Sequence, residues 1–308
     1  MDQVKVYAPA SVANVACGFD VLGFALDFPG DTVIARKNDS GKLSISKIHN
    51  GEGLSCEPGE NVVTVAVQAM LDNLNSKQGI DFELFKGVKP GSGIGSSAAS
   101  SSAAVVAANY LLDEPFKKVD LVQFAMMGEK LASGTAHADN VAPSVCGGFT
   151  LVRSYEPLDI VTINTPDELW CTVIHPQLEV KTKDARRVLK GGIDLKKAIT
   201  QWGNVGGLIA GLYKSDYDLI GRSLVDVVIE PIRSILIPGY SDVKQVSLNA
   251  GSLGCSISGS GPSIFSLCKG EESALKVKAV IGEVYEQYGV EFEIHVSRIN
   301  LEGATVVS

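Results

Sequence analysis

The chain has 308 residues, 45% apolar and 20% charged, with a formal net charge of -8. Its length and apolar content suffice for a sizeable core and two domains, and its acidic total excludes nucleic acid as an expected partner. Its six cysteines form no CxxC pair, which argues against a zinc site or disulfide framework, and no apolar run reaches the roughly 18 residues a membrane span needs.

The opening MDQVKVYAPAS has no basic start followed by an apolar stretch, so a cytoplasmic protein with no membrane partner is expected. Residues 9–26, PASVANVACGFDVLGFAL, set Asn14 and Asp20 in an apolar, glycine-punctuated segment. Buried polar groups there must be paired or functional. In NVVTVAVQAMLDNL (61–74), Val62, Ala66, Ala69, Met70 and Leu74 recur at helical spacing. Phe82, Leu84 and Val88 then alternate as in a strand running into KPGSGIGSSAASSSAA. That stretch is no linker, because Val105, Val106, Tyr110, Leu111 and Leu112 commit its continuation to a buried helix ending before Asp113.

Residues 120–132 predict a further helix, with Leu121, Phe124, Ala125, Gly128, Leu131 and Ala132 on one stripe and Glu129 at its edge. The turn-rich SGTAHADN follows, and the proline-marked text from Pro157 to Glu168 suggests a boundary, here set between 1–165 and 166–308. Towards the end the pattern reads strand, glycine turn, strand, helix, then a strand alternating at Val290, Phe292, Ile294 and Val296. This predicts an antiparallel sheet with helices on one face.

A glycine loop feeding a helix presents free N–H groups and the positive end of the helix dipole to an anion. GxxxxGK[ST] is excluded, because Ser96 and Ser97 stand where its lysine would be. GxGxxG is also unmet, since Gly91, Gly93 and Gly95 are followed by Ala98. Either backbone donors here hold a polyphosphate, with a serine hydroxyl for magnesium, or the small residues serve close helix packing. SISGSGPSIFSL (256–267) fits a second such loop or a plain hairpin equally well.

Taken in order, the three segments resemble the motifs of the GHMP kinases. Pro90, Gly93, Ile94, Gly95, Ser96, Ser97 and Ala98 match the central signature. The opening segment and KTKDARRVL (181–189) are similar to those of the homoserine kinase family. The resemblance implies an α+β two-domain GHMP kinase fold, with an N-terminal domain like ribosomal protein S5 domain 2 and a C-terminal ferredoxin-like α/β sandwich. It also implies transfer of phosphate from ATP to the side-chain hydroxyl of L-homoserine, with Mg2+, in threonine biosynthesis, and a homodimer.

By the same resemblance, the backbone donors of Gly91, Ser92, Gly93, Ile94, Gly95, Ser96 and Ser97 hold the ATP phosphates, Pro90 belongs to the same ATP site, and Ser97 and Glu129 hold magnesium. Asn61 lies near the adenine, although a helix N-cap explains it equally well. Asn14, Asp20, His137, Thr182, Arg186 and Arg233 are expected around the amino-acid substrate, the arginines because a guanidinium grips a carboxylate with two parallel bonds. The aspartate–lysine pair of mevalonate kinase and galactokinase is not matched, since the opening segment has no lysine. Asp139 falls roughly where that aspartate lies, and Asn140 is expected to position the hydroxyl while a phosphate oxygen or solvent takes the proton. Kinases for mevalonate, shikimate or a sugar, and an inactive ATP-binding sensor, are the competing readings.

Overall fold

The computed structural model describes residues 2–178, 188, 189 and 192–307. Among the described residues the first half supplies six strands of a seven-stranded sheet. Antiparallel β1 (Gln3–Ala13) and β2 (Leu22–Asn38) form its centre. β4 (Gly79–Phe85) pairs with the far half of β2, and β3 (Leu43–His49) runs parallel to β4. The near half of β2 carries β5 (Phe149–Tyr155), which pairs with β6 (Leu158–Ile163). β6 lies in text read from the sequence as irregular; LDIVTI is a short apolar run between two prolines and finds its partner in β5. The strand β11 (Thr305–Val306) closes the sheet against β1, so the two ends of the chain meet.

The helices on this sheet are α1 (Val62–Asn73), α2 (Ser96–Leu111), α3 (Val122–Ser133) and α4 (Val141–Cys146). α2 is central, packing against β1, β2, α1, α3 and α4. Its run of alanines and serines answers that position: Ala98, Ala99, Ala103 and Ala104 are fully buried, and small side chains let five neighbours approach at once. The predicted helices at 61–74 and 120–132 are present as α1 and α3, the second preceded by a short 3-10 turn at Lys118–Leu121.

The second half builds an antiparallel sheet in the order β10 (Phe292–Arg298), β7 (Leu169–Pro176), β9 (Ile264–Lys269), β8 (Gly254–Ile257). Between β7 and β8 come α5 (Leu195–Lys214), α6 (Tyr217–Ser223), α7 (Glu230–Arg233) and α8 (Tyr240–Asn249), and α9 (Glu271–Tyr288) joins β9 to β10. Ile174, Ile264 and Cys268 pack on one side with α8 and α9. Cys171, Val173, Phe265 and Leu267, one residue out of phase, pack on the other with α5 and the first sheet. Both faces are therefore covered, where helices on one face were expected.

Phe24 of β2, Phe149 of β5 and Phe265 of β9 meet in this shared core at ring distances of 4.8 and 5.8 Å, and all three are fully buried. Each such burial contributes roughly 1.5–3 kcal/mol, so the two sheets are joined by core packing. The α+β two-domain architecture is the expected one.

Candidate active site

A cavity of about 360 Å³ opens between the two halves. Its wall includes the glycine loop, the start of α2, Asn14 and Asp20 from the β1–β2 connection, and Glu129 from α3. His137, Asp139 and Asn140 ahead of α4 join it, as do Asn61, Arg233, Gly259 and Ser260. Residues spread over most of the sequence thus converge.

The loop owes its shape to three pinned carbonyls. Ser263 Oγ donates to the Ser92 carbonyl at 2.6 Å, Ser258 Oγ to that of Gly93 at 2.8 Å, and the Ser11 N–H to that of Ile94 at 3.1 Å. Because a trans peptide holds its C=O and the following N–H on opposite sides, these bonds turn the N–H groups of Gly93, Ile94 and Gly95 the other way. Among the described residues no acceptor meets them. With the unpaired first N–H groups of α2 they form a row of donors at the positive end of a helix, which is an anion-binding arrangement.

Glycine is required at two of these positions. Gly93 has φ +81°, and a Cβ there would lie 2.6 Å from the Gly261 carbonyl. Gly95 has φ +71° and caps α2 where a Cβ would collide with Ser11 Oγ. Pro90, Gly91, Gly93, Gly95, Ser96 and Ser97 line the cavity. Ser92 and Ile94 do not: both are buried, Ile94 in the shared core, because alternate loop residues must fill the space behind it. Of the two readings of the 256–267 segment the hairpin is the one present, joining β8 to β9, and its serines grip the loop.

Glu129 is not on a solvated helix edge; it is 8% exposed and accepts from Ser97 Oγ at 2.5 Å. Burial pushes its carboxyl pKa up, and the Ser97 and Ser133 hydroxyls oppose this. Among the described residues no lysine or arginine pairs with it. A buried carboxylate and a hydroxyl sharing one point, without a cation, are hard oxygen donors suited to Mg2+ beside phosphates.

Asn61 caps α1, its Oδ1 accepting from the Val63 N–H at 3.0 Å while Nδ2 donates to the Ser55 carbonyl at 2.7 Å. The N-cap reading is therefore realised, on the cavity wall. Asn14 bridges the halves: Nδ2 donates to the Gly259 carbonyl at 2.7 Å, and Oδ1 accepts from the Asp20 N–H at 3.0 Å. It begins three successive left-handed residues, Asn14, Val15 and Ala16, with φ of 71°, 40° and 57°. Such backbone costs of order 1–3 kcal/mol per residue and persists where its surroundings impose it.

Asn140 Oδ1 accepts from Ser11 Oγ at 2.9 Å, and no described residue accepts from its Nδ2. His137 and Asp139 are buried in the cavity wall, 8% and 3% exposed. Arg233 is 3% exposed; its guanidinium stacks 4.9 Å from the Phe19 ring and donates to the Gly259 carbonyl at 3.3 Å. Thr182 and Arg186 lie outside the described residues.

Lys86, unremarked in the sequence, also lines the cavity, with its ammonium paired to buried Asp31. Burial pushes the Lys86 pKa down, and the Asp31 carboxylate opposes it. An apolar alternation with one lysine on its even positions was the available signal.

Residues 61–148 match the GHMP kinases N terminal domain and residues 208–287 the GHMP kinases C terminal domain. The chain is 49% identical over 320 residues to a homoserine kinase of Chlorobium phaeobacteroides, covering 100% of each. It is 51% identical to the crystal structure of homoserine kinase from Cytophaga hutchinsonii, with TM-score 0.96 and coverage of 100% of this chain and 98% of that one. L. major mevalonate kinase in complex with R-mevalonate shares the fold, at TM-score 0.72 and 15% identity over 96% of each chain. With both domain matches and full-length identity near one half, the chain belongs to the homoserine kinase family of the GHMP kinases.

Proposed function

We propose that the chain transfers the terminal phosphoryl group of ATP to the side-chain hydroxyl of L-homoserine, giving O-phospho-L-homoserine for threonine biosynthesis. The observation that carries this is one cavity that joins a row of free N–H donors, a buried Ser97–Glu129 oxygen pair and a buried arginine. Phosphoryl transfer rests on positioning and charge neutralisation, and these are what such groups supply. The loop N–H groups hold the phosphates, and Leu54, Asn61 and Val62 on the same wall receive the base.

Ser97 and Glu129 would hold Mg2+, which neutralises phosphate charge when bound. Arg233 takes the substrate carboxylate, with Arg186 as its expected second partner. Asn14, Asp20, His137 and Thr182 complete the amino-acid pocket. Asn140, its Oδ1 already occupied by Ser11, directs Nδ2 to the substrate hydroxyl. A phosphate oxygen or solvent accepts the proton, and Asp139 contributes charge. A homodimer, a cytoplasmic location and a domain boundary at residue 165 belong to the same reading. Support for the boundary is that β6 ends at Ile163 and β7 begins the other sheet at Leu169.

The test is ADP release with ATP and magnesium against homoserine, threonine, mevalonate, shikimate and galactose. Preference for homoserine is expected. Preference for mevalonate or galactose overturns the substrate, and no turnover with any favours a sensor.

A further inference from the structure

Lys86 and Asp31 form a buried ion pair that none of these roles uses. Lys86 directly follows β4; its side chain is 3% exposed and that of Asp31, on β2, is 0% exposed. The ammonium donates to the Asp31 carboxylate, to the Ser96 carbonyl at 3.0 Å and to Ser100 Oγ at 2.9 Å. All three of its donors are used. Asp31 accepts on Oδ1 from the N–H groups of Gly87 at 2.9 Å and Val88 at 3.0 Å, and on Oδ2 from Ser100 Oγ at 2.6 Å as well as from Lys86.

These partners are the two stems of the phosphate loop. Gly87 and Val88 lead into it, and Ser96 and Ser100 lead out of it along α2. One carboxylate therefore ties both stems, and one ammonium locks that carboxylate to the helix. Displacing either stem breaks charge-assisted bonds in a low-dielectric interior, which resists movement more strongly than apolar packing does. With its donors used, Lys86 has none to give a phosphate, unlike the lysine of GxxxxGK[ST].

We propose that Asp31, Lys86 and Ser100 are positioning residues that fix the spacing of the two loop stems, and so the reach of the loop N–H groups to nucleotide phosphates, without touching phosphate themselves. This rests on the nucleotide reading above. A neutral pair of similar volume keeps the fold, because replacing both members of a buried ion pair leaves no uncompensated charge, but it loses every bond of the ammonium, to the carboxylate, to Ser96 and to Ser100, and keeps only neutral bonds from the Gly87 and Val88 N–H groups to the amide oxygen.

The double variant Lys86→Met/Asp31→Asn separates these effects. By calorimetry and steady-state kinetics, its melting temperature is expected to stay near the parent's while its Kd for MgATP rises at least about tenfold. kcat falls with it, and KM for homoserine is unchanged. A folded double variant that binds MgATP as tightly as the parent overturns the proposal. If the double variant does not fold, Ser100→Ala decides: a rise of about threefold or more in KM for ATP alone supports the proposal, and an unchanged KM for ATP overturns it. A parent that fails to bind MgATP overturns the nucleotide reading, and this proposal with it.

Discussion

Ser97 Oγ of α2 sits 2.5 Å from the Glu129 carboxylate of α3, so two helices meet at a pair of oxygens. Burial holds the Glu129 pKa above its ordinary value. An acid whose folded pKa is raised stabilises the fold below its unfolded pKa, and that contribution is lost as pH rises through the folded pKa. Without magnesium, stability at neutral pH is therefore reduced by this group. Glu129→Gln is expected to raise the melting temperature in chelator while lowering turnover at least about 100-fold, the upper end of what losing a group that supports a metal ligand costs. Scanning calorimetry with and without magnesium, beside an ADP-release assay, checks both halves.

Gly93→Ala places a methyl 2.6 Å from the Gly261 carbonyl at a φ of +81°. The obstacle is backbone, which cannot swing aside. A loss of about 1–3 kcal/mol is expected in urea unfolding, with weaker ATP binding because the loop and hairpin are forced apart. Parent-like unfolding would show that the loop does not need this approach.

Ser258→Ala and Ser263→Ala each free one loop carbonyl. Each is expected to cost about 1–3 kcal/mol, the penalty for an unsatisfied buried acceptor, and to raise KM for ATP while leaving homoserine binding intact. An effect on homoserine alone would contradict the pinned-carbonyl account.

Asp139→Asn and Asn140→Ala test the route of the proton. If Asn140 positions the hydroxyl and no protein base is needed, Asn140→Ala lowers kcat about 100-fold or more, and Asp139→Asn retains measurable turnover. Loss of turnover in Asp139→Asn with substrate still bound, beside near-normal Asn140→Ala, would identify Asp139 as the base.

His175 Nδ1 lies 3.3 Å from Ser263 Oγ, and burial above all pushes the pKa of His175 down to about 4. A base with a lowered folded pKa stabilises the fold above its ordinary value of 6.5, and this is lost as pH falls towards 4. The melting temperature is expected to fall across that window, and His175→Gln to flatten the fall. An unchanged slope in the variant would assign the acid sensitivity elsewhere.

Local pattern carried much of the architecture. Period 3.6 marked α1 and α3, period 2 marked β10, and the stretch of small residues marked a glycine loop feeding a buried helix. The positive φ of Gly91, Gly93 and Gly95 is what glycine at those positions permits. By itself the sequence also determined that the GxxxxGK[ST] loop is absent, since that is a matter of one residue type at one place.

Tertiary structure alone decided which polar residues are buried and what they face. Glu129 meets a serine 32 residues away, Lys86 an aspartate 55 away, and Ser263 the loop carbonyl 171 away. The irregular text near Pro157 became a strand only because β5 supplied an edge. Periodicity records which side of an element is apolar, whereas the partner of a buried charge is set by how distant segments pack, and no local spacing encodes that distance.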